Sequence, residues 1–143
     1  MAEVPAGLRS RRDIAFALTF AGGAVLIVGA IGTAIGLFAF NAALAPYLAN
    51  DFIEGLSPSS IISGIAVWTL LVGVTTGILA LVAAGRLRHD ADQGRREGAR
   101  LALIAGGISL LAPAIGAIGA ILTVVGAILA FGTLPGSHFA RRA

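Results

Sequence analysis

Three runs of the chain, residues 14–50, 55–85 and 101–140, contain no Asp, Glu, Lys or Arg. Nothing else in the sequence restricts the fold as strongly. About 20 consecutive apolar residues let an α-helix cross the hydrocarbon core of a bilayer, so each run can hold at least one crossing. Soluble domains carry charge on about a quarter of their residues; here 12% are charged, 57% are hydrophobic and the mean hydropathy is +0.95. The expectation is an all-α integral membrane protein in a single membrane domain.

The first run supplies a span at 14–40 and the second a span at 61–84. Residues 101–134 are too long for one ordinary span and slightly short for two ideal ones. Pro113 removes a backbone donor and disfavours helix at the residue before it, so a tight hairpin turning near 113–117 is expected, giving a four-helix bundle. Charge supplies an independent check. With four crossings all ten Arg fall on one side, and the opposite side carries only Asp51 and Glu54. The positive-inside rule then places residues 1–13, 85–100 and 135–143, and so both termini, in the cytoplasm, with the protein in the inner membrane of a prokaryote. A three-span arrangement would send Arg141 and Arg142 outside.

The stretch from Ser10 to Ile14 resembles a twin-arginine export signal, and residues 42–45, AALA, offer a cleavage pattern. The apolar run, however, exceeds the roughly 7–15 residues of a cleaved signal's core. Nothing after Ala45 resembles a soluble cargo domain. The arginines are read instead as the anchor flank of the first span.

The spans are poor in chemistry. There is no cysteine, and no ionisable side chain lies within a span. Buried ionisable groups are the usual mark of proton relays and cation sites in membranes, so those functions lose their carriers. Both histidines, His89 and His138, lie in flanking segments and leave no intramembrane haem ligand. In size and span number the chain resembles the small multidrug exporters, but their membrane-embedded Glu is missing; it is also of the size of the dual-topology fluoride channels, whose inverted pairing the lopsided arginines oppose. His89, Asp90 and Asp92 lack a second His or Cys, and the neighbouring arginines repel a cation, so no metal is expected. No cofactor and no enzyme activity are expected either. The pI of 11.1 reflects arginines at span flanks, so it does not indicate nucleic acid.

What the spans do have is small residues. Gly32 with Gly36, Gly73 with Gly77, and Ala112, Gly116 and Ala120 recur one turn apart. Such spacing lets helix backbones approach closely, which matters in lipid because dispersion and weak hydrogen bonds replace the hydrophobic effect. Leucine at Gly73 or Gly32 is therefore expected to disrupt close helix contacts. Thr75 and Thr76 suggest a polar path, although membrane hydroxyls more often bond their own helix. Arg11, Arg12, Arg86, Arg88, Arg95, Arg96, Arg100, Arg141 and Arg142 are placed to contact lipid phosphates.

Two further features concern organisation. Residues 21–32, AGGAVLIVGAIG, align without gaps on residues 105–116, AGGISLLAPAIG, with seven of twelve positions identical. Spans one and three point the same way in the four-span arrangement, as a 2+2 internal repeat requires. In the outer segment 41–60, Leu44, Leu48, Phe52 and Leu56 recur every four residues, which fits a short interfacial helix between spans 1 and 2. The layout of Gly-rich spans, long outer segment, basic middle loop and terminal GAILTVVGAILAF helix resembles small uncharacterised four-helix, Gly/Ala-rich membrane proteins of bacteria and archaea. That resemblance implies the fold and no activity. The expected function is non-enzymatic: association through helix faces, as an accessory or assembly subunit of a membrane complex or as a homo-oligomer. Its partners are then the bilayer and other membrane subunits or itself. The alternative is a small oligomeric channel or carrier for an apolar or neutral solute.

Overall fold

The computed structural model describes residues 6–47, 57–88, 92–110 and 116–134. Among them there are four α-helices and no strand: α1 Ala6–Leu44, α2 Pro58–Leu87, α3 Asp92–Ser109 and α4 Gly116–Gly132. Two, α1 from Ser10 onward and α2, are long and apolar enough to cross a membrane.

The helix ends follow local chemistry. α1 runs without a proline until Pro46, and its last residues lie just before the position where proline disfavours helix. α2 opens on Pro58, whose fixed φ suits a first turn. Ser57, extended at φ −80° and ψ 149°, caps it, its hydroxyl accepting from the Ser60 amide at 3.2 Å. The segment 85–100, expected as a hydrated loop, is largely helical: α2 continues to Leu87 and α3 begins at Asp92. Asp92 in the first turn complements the helix dipole and pairs with Arg95 three residues on, so local electrostatics favour helix there despite Gly94. The amphipathic repeat at Leu48, Phe52 and Leu56 and the hairpin turn around Pro113 lie outside the described residues.

Consecutive helices run antiparallel, and α1 also packs on α4, so the order around the molecule is α1, α2, α3, α4 and back to α1. α2 and α4 touch across the middle. At one end Ala15, Leu87, Ala99 and Ala130 bring all four helices together. At the other end the helices are unequal. Gly119, three residues into α4, lies beside Gly22 and Leu26 of α1, yet α1 continues to Leu44. That remainder is about 18 residues, or roughly 27 Å at 1.5 Å per residue. It packs on α2, and Asn41 ties the tips together by donating to the Ser63 hydroxyl at 3.0 Å and the Ser59 carbonyl at 3.3 Å.

The second helix pair repeats the first in its packing. The alternation of buried and exposed positions over residues 74–84 recurs position by position over 117–127. In this correspondence Ala120 takes the place of Gly77, and Gly126 that of Ala83. Gly77 packs on Gly23 of α1, while Ala120 packs on Gly106 of α3. Likewise Ala83 meets Gly98 of α3, and Gly126 meets Ala15 of α1.

The distribution of side-chain size is the reverse of a soluble core. Buried positions hold Ala, Gly, Thr and Ser, with Leu26, Leu87 and Leu134 as the larger exceptions. No described Ile, Val, Phe, Trp or Tyr is buried; Val28, Ile35, Trp68, Leu71, Ile118 and Ile128 all stand on the surface. In water Ile, Val and Phe are among the residues most often fully inside.

Candidate functional site

The closest helix approaches are made where a side chain would not fit. A Cβ built on Gly23 would lie 3.0 Å from the Gly77 carbonyl oxygen, and one on Gly77 would lie 2.9 Å from that of Gly23. Gly22 and Gly119 stand in the same reciprocal relation across α1 and α4, at 2.8 and 2.9 Å. Adjacent glycines on α1 thus press against α4 on one side and α2 on the other. Gly126 continues the α1–α4 seam, where an added Cβ would lie 3.0 Å from the Ala15 carbonyl oxygen, and Gly98 closes the α2–α3 seam, where one would lie 3.0 Å from the Ala83 carbonyl oxygen. An added Cβ on Gly106 would lie 2.5 Å from Val124 Cγ2. Carbonyls opposed by glycine at this range permit the close backbone packing that stabilises helix pairs in lipid.

The residues singled out from the sequence divide between these seams and the surface. Gly73 packs against Ala30 and Leu26, Gly77 against Gly23 and Ile27, and Ala120 is buried. Gly116 is the first residue of α4. Ala112, Arg141 and Arg142 lie outside the described residues. Gly32 and Gly36 differ from expectation: nothing of the chain lies within 4 Å of a Cβ built on either, so leucine at Gly32 would break no contact within the chain. The physical reason is the inequality of the helices, since this part of α1 extends beyond the start of α4. Gly64 on the facing stretch of α2 is equally open. Three close-packed glycines, Gly22, Gly23 and Gly119, escape a search for Gly or Ala spaced by four, whereas Gly98, Gly106 and Gly126 carry that spacing with Gly94, Ala102 and Ala130. The heptad interval from Gly119 to Gly126 and the paired glycines at 22 and 23 are the signals that would have found them.

Thr75 and Thr76 separate. Thr76 is buried, and its hydroxyl donates to the Val72 carbonyl of its own helix at 2.7 Å; Thr75 is exposed on the outer surface. Thr19, Thr33, Ser109, Thr123 and Thr133 likewise donate to carbonyls three or four residues earlier. Thr69 is the exception among the described residues, buried with its hydroxyl unpartnered. Elsewhere the interior between helices is lined by methyl groups, methylenes and glycine backbone.

The described arginines gather at the end where all four helices meet. Arg86 of α2 pairs with Glu97 of α3 at 2.6 Å, Arg95 pairs with Asp92, and the Arg88 guanidinium lies 4.8 Å from the centre of the Phe16 ring. The Arg86 pair is about half exposed, so it contributes at most about 1 kcal/mol. Arg12 and Arg95 line a cleft of about 10 Å³ between the helix ends, room for roughly one water. Arg11, Arg96 and Arg100 are exposed. Among the described residues no cluster of His, Cys, Asp and Glu could hold a metal ion.

Above this end, on the α2–α3 seam, lies an open groove of about 210 Å³ lined by Leu71, Val72, Thr75, Thr76, Leu79 and Ile108. Comparison of the chain with protein-family models, with curated proteins and with solved structures finds no match.

Proposed function

We propose that this chain is a multi-pass protein of a prokaryotic cytoplasmic membrane, with its arginine-rich end and both termini on the cytoplasmic side. It works there by helix association, as an accessory or assembly subunit of a larger membrane complex or as a homo-oligomer, and carries out no chemistry of its own. The observation that carries this reading is the reversal of side-chain size, with small residues inside and large aliphatic ones outside. In lipid there is no hydrophobic drive to bury isoleucine, and small residues inside maximise backbone contact.

Helix lengths refine the topology. Leu26 lies about 21 Å above Arg12 along α1, short of the roughly 30 Å of hydrocarbon. We read α1 and α2 as full crossings. α3 and α4 form a second, shorter two-helix unit entering from the arginine side and turning before the opposite interface. The projecting halves of α1 and α2 then expose Gly32, Gly36 and Gly64 between Ile31, Ile35, Ile65 and Trp68. Open glycines flanked by large apolar residues suit a helix from another subunit, which can approach there as closely as α1 and α2 approach each other.

The test is the mass of the assembly extracted gently from its native membrane, compared for the wild type, Gly32→Leu and Gly36→Leu. A fixed-ratio complex or homo-oligomer is expected for the wild type. The two variants should release it as a folded single chain, because a Cβ at either position lies more than 4 Å from every other helix of its own chain. A wild type that is monomeric in every gentle extraction would sink the association reading.

A further inference from the structure

From the groove on the α2–α3 seam we infer that the protein holds one anionic glycerophospholipid in a defined place, its acyl chain along α2 and its phosphate at Arg86 and Arg100. The inference rests on the membrane reading above and adds a specific ligand to it. The groove is smaller than the roughly 300–1,000 Å³ of pockets that enclose compact ligands and is open along one side, so it suits a slender chain.

Position and charge agree. Leu79, at the lower end of the groove, is seven residues from Arg86 on the same helix, and Ile108 is eight residues from Arg100 on α3. At 1.5 Å per residue these separations are about 10 and 12 Å. A leaflet is about 15 Å deep, so a phosphate at the level of the arginines places the far end of its acyl chain in the lower part of the groove. The Arg86–Glu97 pair marks the lower end of the seam, and Glu97 neutralises part of the charge there. Arg96 and Arg100, both exposed, restore a positive excess that a zwitterionic headgroup would not match. Thr76 turns its hydroxyl to the Val72 carbonyl and keeps the groove wall apolar.

A tryptophan placed in the groove makes the idea testable. Trp68, the single tryptophan of the chain, is 18 residues from Arg86, about 27 Å along α2 and past the end of an acyl chain anchored at the arginines. Trp68→Phe removes it, and Ile108→Trp, at an exposed position in the groove lining, supplies the probe. Bromine on an acyl chain quenches tryptophan only at short range. The full chain would be placed in phosphatidylcholine vesicles containing a minor share of brominated phosphatidylglycerol or, separately, of brominated phosphatidylcholine with the same chains. Brominated phosphatidylglycerol should quench the Ile108→Trp probe with at least about fivefold higher efficiency per mole. Arg100→Gln should bring the two lipids close to parity. Thr75→Phe, at an exposed position that fills the groove, should weaken quenching by both, whereas Ile118→Phe on α4 should not.

Equal quenching by the two lipids overturns the inference, as does a Thr75→Phe variant that behaves like the wild type. Native mass spectrometry of the same variants, reading retained phosphatidylglycerol, decides the matter if a substitution perturbs the tryptophan itself. Carbonate extraction separates this result from the parent reading. A chain that stays in the membrane without lipid preference loses only the lipid site; a chain released by carbonate loses both.

Discussion

Gly22→Ala should lower the stability of the folded chain in detergent by about 3 kcal/mol or more, from the addition of one methyl group. In a helix interior the exchange of Gly for Ala ordinarily gains roughly 0.5–1 kcal/mol. At Gly22 that gain is overwhelmed. The new Cβ would stand 2.8 Å from the Gly119 carbonyl oxygen and 2.9 Å from the Thr123 amide nitrogen, both backbone atoms of α4. A flexible side chain could swing away, but a helix backbone can only move as a body. Because Gly23 meets α2 one residue on, separating α1 from α4 there also disturbs the α1–α2 seam. Gly32→Ala, with open space around it, is the control and should be neutral or slightly stabilising. Unfolding by titrated denaturing detergent, followed by circular dichroism, measures both. Equal midpoints for the two variants would mean that the α1–α4 seam is not closely packed.

The second large effect is close to all-or-none. The chain has no cysteine, so each single-cysteine variant carries one site for a membrane-impermeant thiol reagent. Tyr47→Cys, beyond the end of α1, should label in intact cells or right-side-out vesicles. Gly94→Cys, beside the arginines on α3, should label only after permeabilisation. Ala114→Cys, in the connection between α3 and α4, discriminates the topologies. If the second helix pair turns within the membrane, this site resists the reagent from outside. Labelling of Ala114→Cys from outside at the rate of Tyr47→Cys would place the pair fully across the bilayer. Labelling of Gly94→Cys in intact cells would reverse the orientation.

How much of this could be read from residues alone varies with the range of the interaction. The charge-free runs 14–50 and 55–85 are local signals, and α1 and α2 follow them closely. The start of α2 at Ser57 and Pro58 is set just as locally, since a cap needs only its own next few residues. The segment 85–100 misled because dense charge suggests a hydrated loop, while i to i+3 pairing of Asp92 with Arg95 supports helix equally well. Helix contacts were harder. Gly32 and Gly36 carry the same local spacing as Gly73 and Gly77, but only the latter face another helix. The difference lies in how far α4 reaches along α1, a quantity set far from Gly32 in sequence. The groove was invisible for a similar reason. Thr75 and Ile108 are neighbours only because α2 and α3 fold back at the arginines.

The matching of the two helix pairs bears on how this chain could be rearranged. The beginning of α1 and the end of α4 lie at the same end of the molecule, where Ala15 and Ala130 meet, and so do the end of α2 and the beginning of α3. Every helix contact would survive if the chain were cut between Leu87 and Asp92 and its original ends joined by a short linker. The permuted order α3–α4–α1–α2 would lead with the shorter pair. The long pair, with its open glycines, would then be synthesised last. Chain order is thus a free variable of this architecture, and the inequality of the two pairs is what gives the molecule its distinct faces.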